Sequence, residues 1–400
     1  MEYYTVLLPL AIILLVSKIL SKASAKVGMP NVVGMLLAGV LIGFIQYIPG
    51  QDIITSTSLE GLGFLSKIGV ILIMFTAGLG TDIESIKKIG FPAVVITLAG
   101  VFLPMLLGFG VSELFNDPEN IYESIFYGVI LTATSVSVTV ATLKELGKLN
   151  SRVGNTVITA AILDDIIGIV VLSLVISFNP KSGKGTNPVK IILLTMAFFV
   201  CAIIAGIIIK KVFVWLSNRY PHHRLIPIFS LSVCFFFSFA SERWFSVADI
   251  TGAFVAGLVL SGTKETTYVD RRSDIMTYML FAPVFFANIG ITTKFSSINT
   301  AMILFGITFI IVGLLGKVIG CSLTARLYKF NTKDSLKIGV GMMARAEVAL
   351  VCAQKGVDAG IISSDIMPFI LILIIISSFA TPIILKQLYK GELGVSNDVL

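Results

Sequence analysis

Asp164 and Asp165 stand side by side in Thr159-Ala-Ala-Ile-Leu-Asp-Asp-Ile-Ile-Gly-Ile-Val-Val, a run with no other charge. Lys317 interrupts an equally apolar run between Gly316 and Gly320, and Arg345 and Glu347 stand two apart in Met342-Met343-Ala344-Arg345-Ala346-Glu347. Carboxylates in apolar surroundings can bind a cation or hold a proton, and two close together resist ionising at once. Such a group can keep a proton near neutral pH and release it as a cation arrives. Neighbouring residues on a helix point about 100° apart, so the two carboxylates cannot share a face and need different partners. One can face an ion path while the other meets a neighbouring helix; a packing pair satisfied by hydroxyls is the competing structural reading. Histidine chemistry has little to work with, because His222 and His223 are the only two and sit together in a short basic loop. Cys201, Cys234, Cys321 and Cys352 lie in apolar runs without zinc or redox spacing.

These residues need elements that hold them, and composition says which. Of 400 residues, 56% are apolar and 13% charged, against roughly a quarter charged in soluble domains. Mean hydropathy is +0.96. A soluble enzyme, a disordered chain and a nucleic-acid binder all fit poorly, and the expected class is an all-α polytopic membrane protein. A span needs about 20 apolar residues. Scanning for such runs gives about thirteen: 3–20, 31–48, 62–80, 91–112, 122–144, 152–178, 189–217, 224–242, 246–262, 274–292, 299–326, 334–356 and 366–388. Two of them, 122–144 and 334–356, are short or polar for a span. In this frame the aspartates lie about 12 residues from one helix end, near 18 Å deep, and Lys317 lies mid-membrane, about nine residues before Arg326. A charge at the centre of a spanning helix costs at least about 2.5–3.5 kcal/mol, so Asp164, Asp165, Lys317, Arg345 and Glu347 read as functional. Lys317 is the natural partner for one aspartate; unpaired and buried it would tend to give up its proton. The alternative, snorkelling to the interface, is a stretch at that depth.

Charge placement sets an orientation. The first apolar run is followed, not preceded, by Lys18, Lys22 and Lys26, so it reads as a permanent helix rather than a cleaved signal despite Ala23-Ser24-Ala25. With the N-terminus outside and the C-terminus in the cytoplasm, 21 of the 30 Lys and Arg fall inside and 7 outside, leaving Lys317 and Arg345 within spans. This is the positive-inside pattern, and it explains the net charge of +7 without nucleic acid. The acidic loop 113–121 fits the outer face; the loop 179–190 is the local exception.

The chain also resembles itself at an offset of roughly 210–218 residues. Gly34–Gly43 is similar to Gly252–Gly262, Met74–Gly80 to Val284–Gly290, and the two polar spans lie about 211 residues apart. Small residues four apart are common at helix contacts, yet three correspondences near one offset favour duplication. The expected division is a first repeat over 1–178, a linker helix over 179–223, a second repeat over 224–390 and a short cytoplasmic tail over 391–400. Seven spans separate the repeat starts, so the halves enter the membrane in opposite senses, as in secondary transporters with midplane ion sites on broken helices. The polar spans are the candidates for those breaks. Thr132-Ala-Thr134-Ser135-Val-Ser137-Val-Thr139 supplies hydroxyls for freed backbone groups or a cation. Gly339, Gly341, Arg345 and Glu347 supply flexibility and charge in the other. Arg345 and Glu347 do not face each other on a regular helix; they neutralise half-helix ends or pair with other spans, and Arg345 reads equally as structural or gating.

On Thr132–Gly147, Ala160–Gly168, Gly316–Leu327, Gly341–Leu350 and Met29-Pro30-Asn-Val-Val-Gly34, the sequence resembles the monovalent cation:proton antiporter-2 family. That family groups Na⁺/H⁺ antiporters of the NapA and GerN type with the membrane part of Kef potassium-efflux systems. The tandem aspartate in its apolar frame is the most specific element. The resemblance implies thirteen helices with two crossed broken helices, a homodimer, a dimerisation domain and a core that moves like an elevator. It implies Asp165 as the shared ion and proton carboxylate, Asp164 as the partner of Lys317, Thr134 and Ser135 at the first helix crossing, and Glu347 on the second broken helix. The expected activity is exchange of Na⁺, or K⁺, for H⁺ in the cell membrane, among lipid and monovalent cations, with no enzymatic chemistry and no cofactor beyond the transported ions. Kef systems add a cytosolic nucleotide-binding domain; only about ten residues follow the last span, so such control would belong to a separate regulatory subunit or be absent. A channel-like or sensory protein of the same fold is the second reading. An intramembrane aspartyl protease is disfavoured, since Gly78-Leu-Gly80-Thr-Asp82 has one residue too many for its motif and lies at a loop.

Overall fold

The computed structural model describes residues 4–27, 30–81, 90–115, 121–149, 151–178, 188–293 and 300–393. The described chain is helical throughout: α1 (Tyr4–Lys26), α2 (Asn31–Gly43), α3 (Ser56–Leu79), α4 (Phe91–Phe115), α5 (Ile121–Ile130), α6 (Val136–Glu145), α7 (Arg152–Ser177) and α8 (Pro188–Arg219). There follow α9 (Leu225–Phe245), α10 (Asp249–Leu260), α11 (Thr266–Met276), α12 (Ala282–Thr292), α13 (Thr300–Leu327), α14 (Thr332–Gly341), α15 (Glu347–Asp358) and α16 (Met367–Leu393). Among the described residues, nine helices are long and apolar enough to cross a membrane; α11 and α12, joined by a π-helical turn at Thr277–Phe281, count there as one. The other four expected spans, 31–48, 122–144, 246–262 and 334–356, coincide with short or interrupted helices. Large apolar side chains on α8 such as Ile203, Ile207 and Trp215 are more than half exposed, the outward face of a multi-pass membrane protein.

Helix starts depart from the apolar runs where polar chemistry extends them. The helix expected from 62 begins at Ser56, because Thr55 and Ser58 form a reciprocal capping box. The span expected from 274 is continuous with a polar helix from Thr266, which carries Asp270, Arg271, Arg272 and Asp274. Hydropathy marks where lipid begins, not where helical hydrogen bonding does.

The chain forms two compact units. One takes 1–24, 34–84 and 173–293. Its helices approach through glycines. A Cβ at Gly39 of α2 would fall on the Ala287 backbone of α12, and one at Gly290 would stand 2.6 Å from the Leu36 carbonyl oxygen. Likewise Gly257 of α10 lies on the Phe75 carbonyl of α3, and Gly78 on that of Phe254. The motifs that resemble each other in sequence are thus the ones that make these backbone contacts. Ile13, Ile42, Leu62, Val284 and Ile291 fill the core between them.

The other unit takes 25–33, 85–172 and 294–400. Here α4 packs tightly on α13: a Cβ at Gly320 would lie 2.8 Å from the Ala99 carbonyl oxygen, and one at Gly316 3.1 Å from Pro104 Cα. Ile96, Val157, Ala160, Ala161, Cys321 and Met342 form a core that joins α4, α7, α13 and the end of α14. α7 carries the aspartates within this unit and passes into the first unit at Ser173.

Candidate ion site

Small residues bring the site's helices together. Ala160 and Ala161 are fully buried one turn before the aspartates, and Thr97 of α4 donates through Oγ1 to the Ala160 carbonyl at 3.1 Å. On the facing helix α13, Lys317 Nζ donates to Asp164 Oδ1, closing an ion pair whose side chains are 0% and 1% exposed. Gly100 makes room for the Cys321 side chain beside the lysine stem: a Cβ there would meet Cys321 Sγ at 2.6 Å, and it would stand 3.8 Å from Lys317 Cδ. Asp164 Oδ2 is buried and has no hydrogen-bond partner among the described residues. Asp165, one residue on, is only partly buried, and its charge reaches the Cys352 thiol on α15. The tandem carboxylates therefore have different surroundings, as helical geometry requires.

Two interrupted helices stand beside this pair. α5 ends at Ile130 and α6 begins at Val136; α14 ends at Gly341 and α15 begins at Glu347. Polar groups of the two broken helices meet across the gaps. Ser135 N–H donates to the Ala344 carbonyl at 2.7 Å. Thr139 Oγ1 donates to the Gly341 carbonyl at 2.6 Å. The Arg345 guanidinium, fully buried, donates through one terminal nitrogen to the Ala133 carbonyl and through the other to Gly313 O on α13 at 2.9 Å. It lies within electrostatic range of both Asp164 and Lys317. Thr134 and Ser135 are both buried, and Thr134 Oγ1 has no hydrogen-bond partner among the described residues.

The structure thus brings together Asp164, Lys317, Arg345 and the Thr134–Ser135 segment in one unit. Glu347 opens α15, and its side chain lies outside the described residues. Asp82 and Met29, read in the sequence, also lie outside them. Three features escaped the sequence. Ser377 and Ser378 of α16 bind the backbone of Arg345. Gly313 contributes only a carbonyl. Lys337 is buried, 3.1 Å from Asp334 and over the Tyr389 ring. A serine pair after an apolar run in α16 was the one available signal, and hydroxyls are too common at membrane helix contacts for it to stand out.

Chemically this unit holds hard oxygen donors, Asp164 Oδ2, Thr134 Oγ1 and the separately placed Asp165 carboxylate, together with the positive charges of Lys317 and Arg345. Oxygen donors of this kind suit alkali cations and protons rather than thiophilic metals.

Comparison with known proteins points the same way. A family model described as "Sodium/hydrogen exchanger, transmembrane" matches residues 11–391. The chain is 34% identical over 386 residues to the Na(+)/H(+)-K(+) antiporter GerN of Bacillus cereus, covering 96% of each chain. It is 33% identical over 393 residues to a Na(+)/H(+) antiporter of Enterococcus hirae, covering 95% of this chain and 97% of that one. Its fold matches the solved structure of the sodium proton antiporter MjNhaP1 from Methanocaldococcus jannaschii with a TM-score of 0.76 at 19% identity, over 99% of both chains.

Proposed function

Because the chain belongs to the sodium/hydrogen exchanger family, we propose that it is a secondary antiporter that exchanges Na⁺ or K⁺ for H⁺ through a buried carboxylate site. The observation that carries this reading is the Lys317–Asp164 ion pair beside the two mutually bonded helix gaps. Isolated charges in a membrane are expensive; here Lys317 neutralises Asp164, and we assign the changing charge to its neighbour Asp165, which is only partly buried.

In this scheme a deprotonated Asp165 takes the cation on one side, with Thr134 Oγ1 and the second oxygen of Asp164 as further donors. A proton displaces the cation on the other side. Lys317 holds Asp164 in place, and Arg345 holds the gaps closed on each other, so that the donors keep their positions without water. Glu347 is assigned to charge compensation at the start of α15. The paired glycine contacts of α2 with α12 and α10 with α3 support two inverted repeats, over 1–178 and 224–390, joined by a linker helix over 179–223. The broken helices would cross within a thirteen-span fold whose N-terminus is outside and whose tail, 391–400, is cytoplasmic. The unit that carries Asp164 and Asp165 would move as an elevator within a homodimer. The relatives named for Na⁺, and for Na⁺ with K⁺, support both cations as substrates.

The test is fluorescence dequenching in proteoliposomes that hold a pH gradient, with Na⁺, K⁺ and Li⁺ added in turn. At least one cation should dissipate the gradient, and Asp165→Asn should abolish the response. A wild-type rate in that variant would remove Asp165 from the mechanism. Currents beyond carrier turnover would favour a channel-like protein instead.

A further inference from the structure

We infer that Ser377 and Ser378 on α16 form a hydroxyl clamp that positions Arg345, and through it the gap in the second broken helix, for cation binding; this rests on the antiport reading above. An unwound segment in a membrane must find hydrogen-bond partners for its freed peptide groups, since lipid offers none. In the gap 342–346 the peptide groups of Arg345 are served from outside both broken helices. Arg345 N–H donates to Ser377 Oγ at 3.0 Å. Ser378 Oγ donates to the Arg345 carbonyl at 3.2 Å. Both serines are buried, at 0% and 1% exposure. Ser377 is itself held: its hydroxyl donates to the Ile374 carbonyl at 3.1 Å, and Thr381 Oγ1 donates to its own carbonyl at 2.8 Å.

The pairing of roles is what makes this a clamp. One hydroxyl accepts from the N–H and the next donates to the C=O, so adjacent residues on one helix grip Arg345 on both sides of its Cα. A backbone fixed in this way fixes the root of the guanidinium, whose two ends reach Ala133 O and Gly313 O. It also fixes the neighbouring Ala344 carbonyl, which receives Ser135 N–H. The chain of contacts runs from α16 through Arg345 and Ala344 to the Thr134–Ser135 segment, where the Thr134 hydroxyl has no partner among the described residues. Neither serine need touch the ion. They are positioning residues, and their loss should be felt as weaker cation binding rather than as slower turnover.

The experiment uses the full chain in proteoliposomes. Alanine suits a helix, so Ser377→Ala/Ser378→Ala should fold. Ser230→Ala is the control for removing a buried helix hydroxyl, because among the described residues Ser230 Oγ bonds to Ile226 O of its own helix alone. The expected result is a cation KM raised roughly fivefold or more, the factor that one net hydrogen bond represents, with kcat within about twofold and the control unchanged. In parallel, hydrogen–deuterium exchange of the peptide covering 341–348 should accelerate in the double variant and not in the control. Unchanged exchange in that peptide would overturn the clamp whatever transport does. So would a lowered kcat at wild-type KM, which marks a merely structural role. If the wild type exchanges no cation at all, the antiport reading fails, and the exchange measurement alone decides the clamp.

Discussion

Replacing Lys317 with Met keeps the volume of the stem and removes its charge, leaving Asp164 buried with no counter-charge in contact. Both side chains are almost completely buried in the native pair. At about 4 Å and an effective dielectric near 20, two unit charges attract by about 4 kcal/mol. Breaking a buried pair from one side costs about 3–5 kcal/mol, because the remaining charge keeps its desolvation penalty. Adding Asp164→Asn removes that charge with little change of shape. The penalty then shrinks to that of an imperfectly paired amide, about 1–3 kcal/mol. The double variant should therefore be more stable than Lys317→Met alone by about 2 kcal/mol. The measurement is equilibrium unfolding of the purified protein in mixed micelles, for wild type, both single variants and the double. Single-variant effects that simply add in the double, or a Lys317→Met protein as stable as wild type, would refute the claim that the two charges stabilise the site only as a pair.

Two further substitutions probe the neighbourhood. Arg345→Lys keeps the charge but loses the planar fork that reaches Ala133 O and Gly313 O; initial exchange rates in proteoliposomes should fall about tenfold or more, the cost of one lost charged hydrogen bond, with expression and monodispersity retained. Gly320→Val places a Cβ 2.8 Å from the Ala99 carbonyl oxygen, closer than carbon and oxygen pack; it should destabilise the protein by about 1–3 kcal/mol, read as a lowered thermal midpoint in detergent.

Much of this was legible in the residues because lipid makes charge conspicuous. Asp164, Asp165 and Lys317 were readable as a mid-membrane set from helical rise alone, since each lies many residues from the nearest loop. The polar character of 122–144 and 334–356 marked the helices that the structure interrupts at 131–135 and 342–346. Assigning Asp164 rather than Asp165 to Lys317 required the family resemblance, because rise gives depth but not azimuth. The partners of Arg345 were not readable at all: they are carbonyls of Ala133 and Gly313, and a carbonyl carries no residue identity. The serine clamp was hidden for a related reason, since a hydroxyl in a helix ordinarily bonds its own preceding turn, as Thr97, Thr324 and Thr381 also do here. The burial of Lys337 was not readable either: it shares α14 with the exposed Lys333 one turn earlier, and only the packing shows that it lies over the ring of Tyr389.

The central claim is that one carboxylate serves cation and proton in turn, and tracer-cation uptake into proteoliposomes measured across a series of pH values tests it most directly. Competition for a shared site raises the apparent cation KM with proton concentration, approaching about tenfold per pH unit where the site is mostly protonated, while the maximal rate stays constant. A KM independent of pH with a maximal rate that falls on acidification would contradict the shared site and place the proton elsewhere.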